Sequence, residues 1–239
     1  MEIVTTSFGI EMLLRWGHFL AGITWIGILY YFNFVQTEFF KEAEAGAKSD
    51  AIQKLVPRAL WWFRWGAMFT FLTGVGIMGL RGAGMPYDIY IGALLGTFMF
   101  LNVWLIIWPK QQIVIASAKQ VAGGGEAIPE AASALGVAGL ASRTNTLFSI
   151  PMLFFMGAST HYPHVGASTF AFLLAVIAIL VLELNAAQSS LAKCPKCEFL
   201  NKLPMADKFG QMGPMASVSG VIHCGLALTV VLYCIIEFL

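Results

Sequence analysis

The chain has 239 residues, 58% of them hydrophobic and 11% charged, with a net charge of +1 and a mean hydropathy of +0.76. This composition excludes an ordinary water-soluble domain and fits a single transmembrane domain over residues 1–239, embedded in a lipid bilayer. It also excludes nucleic acid as a partner, because phosphate binding needs a concentrated basic surface and none is present.

Six apolar segments follow one another, near residues 16–35, 61–80, 89–108, 144–160, 165–187 and 215–238. About 20 such residues cross a hydrocarbon core of about 30 Å, so the expected fold is all-α, a polytopic transmembrane helix bundle of about six spans. The opening Met1-Glu-Ile-Val has no cationic leader, and the first span is read as a retained helix.

That first span carries Arg15-Trp-Gly-His18-Phe-Leu-Ala-Gly22-Ile-Thr-Trp25. An imidazole in a bilayer is costly to leave unpaired, so His18 marks a cofactor, a proton path or a polar partner. Arg15 shares its helix face, and Gly22 one turn on would leave a groove able to admit a porphyrin. His18 would then ligate iron, while Arg15, with Arg81 on the same side, would meet a propionate. The alternative is a histidine hydrogen-bonded to a neighbouring helix. Glu11, one turn before Arg15, is its expected ion-pair partner.

Residues 38–57 are mixed in charge and read as a solvated helix and turn. In the second and third spans, Trp61, Trp62, Trp65, Trp104 and Trp108 read as an aromatic belt, and Gly92 with Gly96 as a close helix contact. Residues 121–129 read as a flexible hinge, followed by a short interfacial helix over 130–141. The fourth span reaches a usable length only if it starts at Thr144, and Pro151 is expected to kink it.

His161 and His164 close the fourth span in Thr160-His-Tyr-Pro-His164. His18 lies about 4–5 Å deeper than Arg15 on the same side, so His18 and His161 meet the height condition for the two axial ligands of a b-type haem. His164 follows a proline and reads as a solvated interfacial histidine, with ligation as its alternative. His223 in the last span sits roughly 10–15 Å away in height. It would bind a second haem, replace His161 as partner of His18, or bond to its own helix backbone.

Glu183 and Asn185 in the fifth span read as interfacial anchors, with a proton path or a quinone head group as the alternative. Cys194-Pro-Lys-Cys197 lacks a second pair and a following histidine, so neither structural zinc nor c-type haem attachment is expected. Cys224 and Cys234 read as buried small apolar residues. Twelve of the 14 Lys and Arg residues fall on the odd-numbered loops, leaving only Arg15 and Arg81 on the other side. The positive-inside rule places both termini on the periplasmic side of a bacterial inner membrane.

Several motifs resemble a known family. The first-span motif, Trp62-Phe-Arg-Trp65, Asn102-Val-Trp-Leu-Ile-Ile-Trp-Pro-Lys110 and Asn145-Thr-Leu-Phe-Ser-Ile-Pro-Met152 with His161-Tyr-Pro163 are similar to the N-terminal membrane domain of the bacterial membrane-bound urate oxidase family. The likeness covers the first four spans, and the first-span pattern also resembles haem-binding membrane protoporphyrinogen oxidases. Family members typically carry about eight spans and a cytochrome c domain, and a histidine is expected where Thr144 stands. The resemblance implies a haem-binding membrane scaffold linked to cytochrome c, with His18 and His161 as the matching histidines. The expected function is electron relay to or from a periplasmic cytochrome c or a respiratory complex. A non-catalytic accessory subunit and a urate-oxidising enzyme are the alternatives; a transporter is disfavoured, since no inverted halves or set of intramembrane carboxylates is visible.

Overall fold

A computed structural model describes residues 2–191 and 209–239, and the Cys194–Cys197 motif lies outside them. Six long helices occur among the described residues: α1 Ser7–Glu42, α2 Ala45–Arg81, α3 Tyr87–Ala122, α4 Ala131–His161, α5 Thr169–Leu191 and α6 Val218–Phe238. A single turn over Glu2–Thr5 precedes them. The fold is an all-α membrane helix bundle. Thr6 caps α1 by accepting from the Gly9 amide, and Ser217 caps α6 by accepting from the Gly220 amide.

Five of these helices are long and apolar enough to cross a membrane, and α4 is not among them. The reason is its position. It packs against α3, α5, α6 and part of α1, burying a run that includes Arg143, Thr144, Asn145, Thr146 and Ser149. A helix covered by protein is released from the apolar requirement that lipid imposes, and it can hold polar groups that its neighbours satisfy. Lipid-facing surface is supplied instead by side chains such as Phe19, Ile23, Phe69, Leu105, Ile177 and Val230.

The helices α1, α2 and α3 are 36, 37 and 36 residues long. At 1.5 Å per residue each reaches about 54 Å, well beyond the bilayer core. The excess lies at one end, where α1 ends, α2 starts, α3 ends and α4 starts. Residues 38–57 form the expected solvated helix and turn, continuous with α1 and α2, whereas 130–141, expected as a separate short helix, are the first part of α4. Only Ala43 and Glu44 break the first pair of helices, and the turn after α3 uses Gly124 at φ +85°, a conformation suited to glycine.

Three π-helical turns interrupt the long helices, at Tyr31–Gln36, Ala51–Leu55 and Asn102–Ile107. The last two run up to Pro57 and Pro109, which lack the N–H that α-helical bonding would require and crowd the preceding turn. In the first, Asn33 donates to the Leu29 carbonyl and Thr37 to the Phe32 carbonyl. By contrast α4 runs unbroken through Pro151. The Leu147 carbonyl that Pro151 leaves without its helical partner faces Gly225 of α6, where an added Cβ would sit 3.1 Å from that oxygen and 2.5 Å from Ile150 Cδ1.

Candidate functional site

Both chain termini lie at one end of the bundle, and so do the two histidines that close α4 and the one in α1. Glu11 and Arg15 lie one turn apart on α1, and Glu11 Oε1 accepts from Arg15 Nε at 2.8 Å and from Arg81 Nε, at the end of α2, at 2.9 Å. The expected Glu11–Arg15 pair is therefore present. Arg81 joins it, so one carboxylate ties the start of α1 to the end of α2 and brings together the two arginines singled out from the sequence.

His18 is half-buried and turned toward α2, with Nδ1 3.1 Å from Thr73 Oγ1. The Thr73 hydroxyl donates to the backbone carbonyls of Phe69, at 2.6 Å, and Thr70, at 3.0 Å. With its proton so committed, Thr73 accepts from the ring, which fixes the Nδ1–H tautomer and leaves the lone pair on Nε2. Gly74 makes room for the ring, since a Cβ there would be 3.2 Å from His18 Cε1. Gly22 faces Thr70, 3.9 Å from its methyl group, so the space beside it belongs to the α1–α2 contact.

His161 is exposed at the last position of α4. His164 is not the solvated histidine expected from the sequence. Its side chain is only 2% exposed, and Nδ1 meets Oδ1 of Asp88 at 2.5 Å. Asp88 is 0% exposed, and its Oδ2 accepts from the His164 backbone amide at 3.0 Å. The chain reverses at Pro163 and folds the ring inward, because a buried carboxylate at the start of α3 requires donors. On the far side His164 Nε2 lies 3.5 Å from Glu237 Oε2 of α6. Tyr233 and Tyr162 flank the ring edge-on, with centroids at 5.1 and 5.8 Å. Neither Asp88 nor Glu237 was singled out from the sequence. The available signal was an acidic residue in the first turn of an otherwise apolar span, where a helix N-terminus favours it.

His223 is exposed and bonds through Nδ1 to the Ser219 carbonyl of its own helix at 2.7 Å, the least specific of the roles considered for it. Nearer the middle of the bundle a second polar cluster is buried. Asn102 Nδ2 donates to Asn145 Oδ1 at 3.0 Å and to Glu183 Oε2 at 3.1 Å, while Asn145 Nδ2 donates to the Met99 carbonyl at 2.9 Å. Glu183 is 8% exposed, so it is no interfacial anchor; it is a buried carboxyl group that joins α5 to Asn102 of α3. Asn185 does anchor, accepting from the Gly210 and Gln211 amides. Arg64 is boxed by tryptophans, 3.8 Å from the Trp108 ring centroid and 5.0 Å from that of Trp104, so part of the expected aromatic belt serves to hold a cation.

Two motif asparagines, Asn102 and Asn145, thus meet in the core of the bundle, and residues 83–189 match the family model described as urate oxidase N-terminal. Over that stretch the chain is similar to the urate oxidase N-terminal family. No curated protein and no solved structure matches the chain. The extent differs from the expectation of four opening spans: the urate oxidase N-terminal match takes in α3, α4 and most of α5 and leaves α1 outside it. Asp88, Arg143, Asn145, His161, His164 and Glu183 all lie inside the matched stretch, whereas Arg15, His18, Arg81 and His223 lie outside it. Among the described residues no group of three or more His, Cys, Asp or Glu side chains converges as a metal site.

Proposed function

We propose that this chain is a b-type haem-binding membrane protein that relays electrons to or from a periplasmic cytochrome c or a respiratory complex in a bacterial inner membrane. The observation that carries the reading is the state of His18. A half-buried imidazole with Nδ1–H engaged by Thr73 presents Nε2 as a lone pair, the arrangement by which outer-shell partners prepare a histidine for a metal. His161, exposed at the same end of the bundle, is the proposed second ligand. Arg15 and Arg81 each use only Nε on Glu11 and retain N–H donors suited to propionates.

When bound, haem supplies the one-electron chemistry. The chain's own residues do the remaining work. Thr73 holds the tautomer of His18, Gly74 gives the ring its place beside α2, and Glu11 keeps two guanidinium groups together at the surface. The test is rapid mixing of the reduced purified protein with oxidised soluble cytochrome c. The expected result is reoxidation that disappears in His18→Ala; a haem-loaded protein that never passes an electron to any c-type cytochrome would contradict it.

The family match favours a second reading, membrane-bound urate oxidation. Urate is an anion, and Arg143 is 5% exposed with a buried Nη1 that makes no hydrogen bond, a donor that an anionic ligand would satisfy. Urate consumption coupled to reduction of added cytochrome c, and lost in Arg143→Met, would select this reading. The absence of any urate turnover by the wild type would remove it.

A further inference from the structure

The Asp88–His164–Glu237 arrangement joins three separate parts of the chain: the start of α3, the turn after α4 and the end of α6. Asp88 is saturated on the protein side, because one oxygen accepts from His164 Nδ1 and the other from the His164 amide. Nδ1 therefore carries hydrogen, and in the neutral ring Nε2 is the lone-pair nitrogen. That nitrogen is buried, makes no hydrogen bond, and belongs to a side chain that is 98% covered by protein. It points at a carboxylate oxygen 3.5 Å away.

A lone pair facing a carboxylate is repulsive unless something positive lies between them. A shared proton would draw the two atoms to about 2.7–2.9 Å, the length of a charge-assisted hydrogen bond. The observed gap is longer. It matches the separation of two ligands on one tetrahedral divalent ion, which bonds of about 2.0–2.2 Å place at about 3.3–3.5 Å. Asp88 completes the pattern, since histidines that bind metals usually give their other N–H to a carboxylate, which fixes the ring and raises its basicity.

We infer that His164 Nε2 and Glu237 Oε2 form a two-ligand site for a divalent transition cation of the zinc class, with Asp88 as the positioning residue. Water or a small anion fills the other coordination positions, reached from the side where Glu237 is 35% exposed. A two-ligand site is one fewer than a closed protein site would offer, so the affinity is modest and the ion is exchangeable. Its structural consequence is a staple between the last turn of α6 and the loop after α4. The site uses neither His18 nor His161, so its fate is independent of the haem reading.

The experiment is titration of the full-length purified protein with Zn²⁺ by calorimetry, with the thermal midpoint followed in parallel. One saturable site per chain is expected, together with a rise in midpoint. Glu237→Gln and His164→Gln should each weaken binding at least tenfold, while His223→Gln should leave it unchanged. Glu237 is partly exposed at a helix end, so its variant keeps the fold even if His164→Gln does not. No saturable Zn²⁺ binding, or an affinity unaltered in Glu237→Gln, would overturn the inference.

Discussion

Asp88 is the residue on which the terminal end of the bundle depends most. Both of its oxygens accept hydrogen bonds from His164 in a fully buried setting, so an amide cannot replace it. In Asp88→Asn one contact becomes N–H against N–H, which should cost about 1–3 kcal/mol, read as a lower melting midpoint in detergent. An unchanged midpoint would show that the carboxylate is dispensable. At His18 the relevant partner is Thr73, whose hydroxyl orients the ring. Thr73→Val preserves volume and removes the acceptor, and haem affinity should fall about 10–100-fold if the ring is a ligand. An affinity equal to wild type would show that the hydroxyl does not prepare His18 for iron.

Between helices, glycine decides how close the backbones come, and its role differs from site to site. A Cβ on Gly66 of α2 would lie 3.2 Å from the Trp25 amide nitrogen and 3.3 Å from the Ala21 carbonyl oxygen of α1, both rigid backbone atoms. Gly79 on the same helix has nothing within 4 Å. Gly66→Ala should therefore destabilise the α1–α2 pair by about 1–3 kcal/mol, whereas Gly79→Ala should be neutral or slightly stabilising. Equal melting behaviour of the two would refute this account of the packing. The elements themselves were legible from apolar length, which located five of the six long helices. The helix and turn over residues 38–57 were legible as well, but their continuity with the spans was not, because polarity marks only where the chain leaves the bilayer. The fourth span was legible only in part, since its polar run reads as a weak membrane helix until the neighbours that cover it are known. The same limit applies to the site. Arg15, Glu11 and Arg81 could be placed from helical spacing and side, but the partner of His164 lies 76 residues away and follows from packing alone.

At the level of the whole molecule, six antiparallel helices place both termini at one end, with the basic extensions at the other. Positive charge is retained on the cytoplasmic side, so a C-terminal alkaline phosphatase fusion should be active and a C-terminal green fluorescent protein fusion dark. The reverse pattern would invert the bundle and move the histidine-bearing end to the cytoplasm. With the termini periplasmic, as proposed, His18, His161 and the Glu11–Arg15–Arg81 cluster would face the compartment of the proposed cytochrome c partner. The central claim is that His18 holds haem iron. Its most direct test is the absorption spectrum of the purified wild-type protein with an iron-to-protein ratio: the expected result is a Soret band and about one iron per chain, both lost in His18→Ala and kept in His223→Ala. A colourless, iron-free wild-type protein that remains fully folded after expression with ample haem would contradict it.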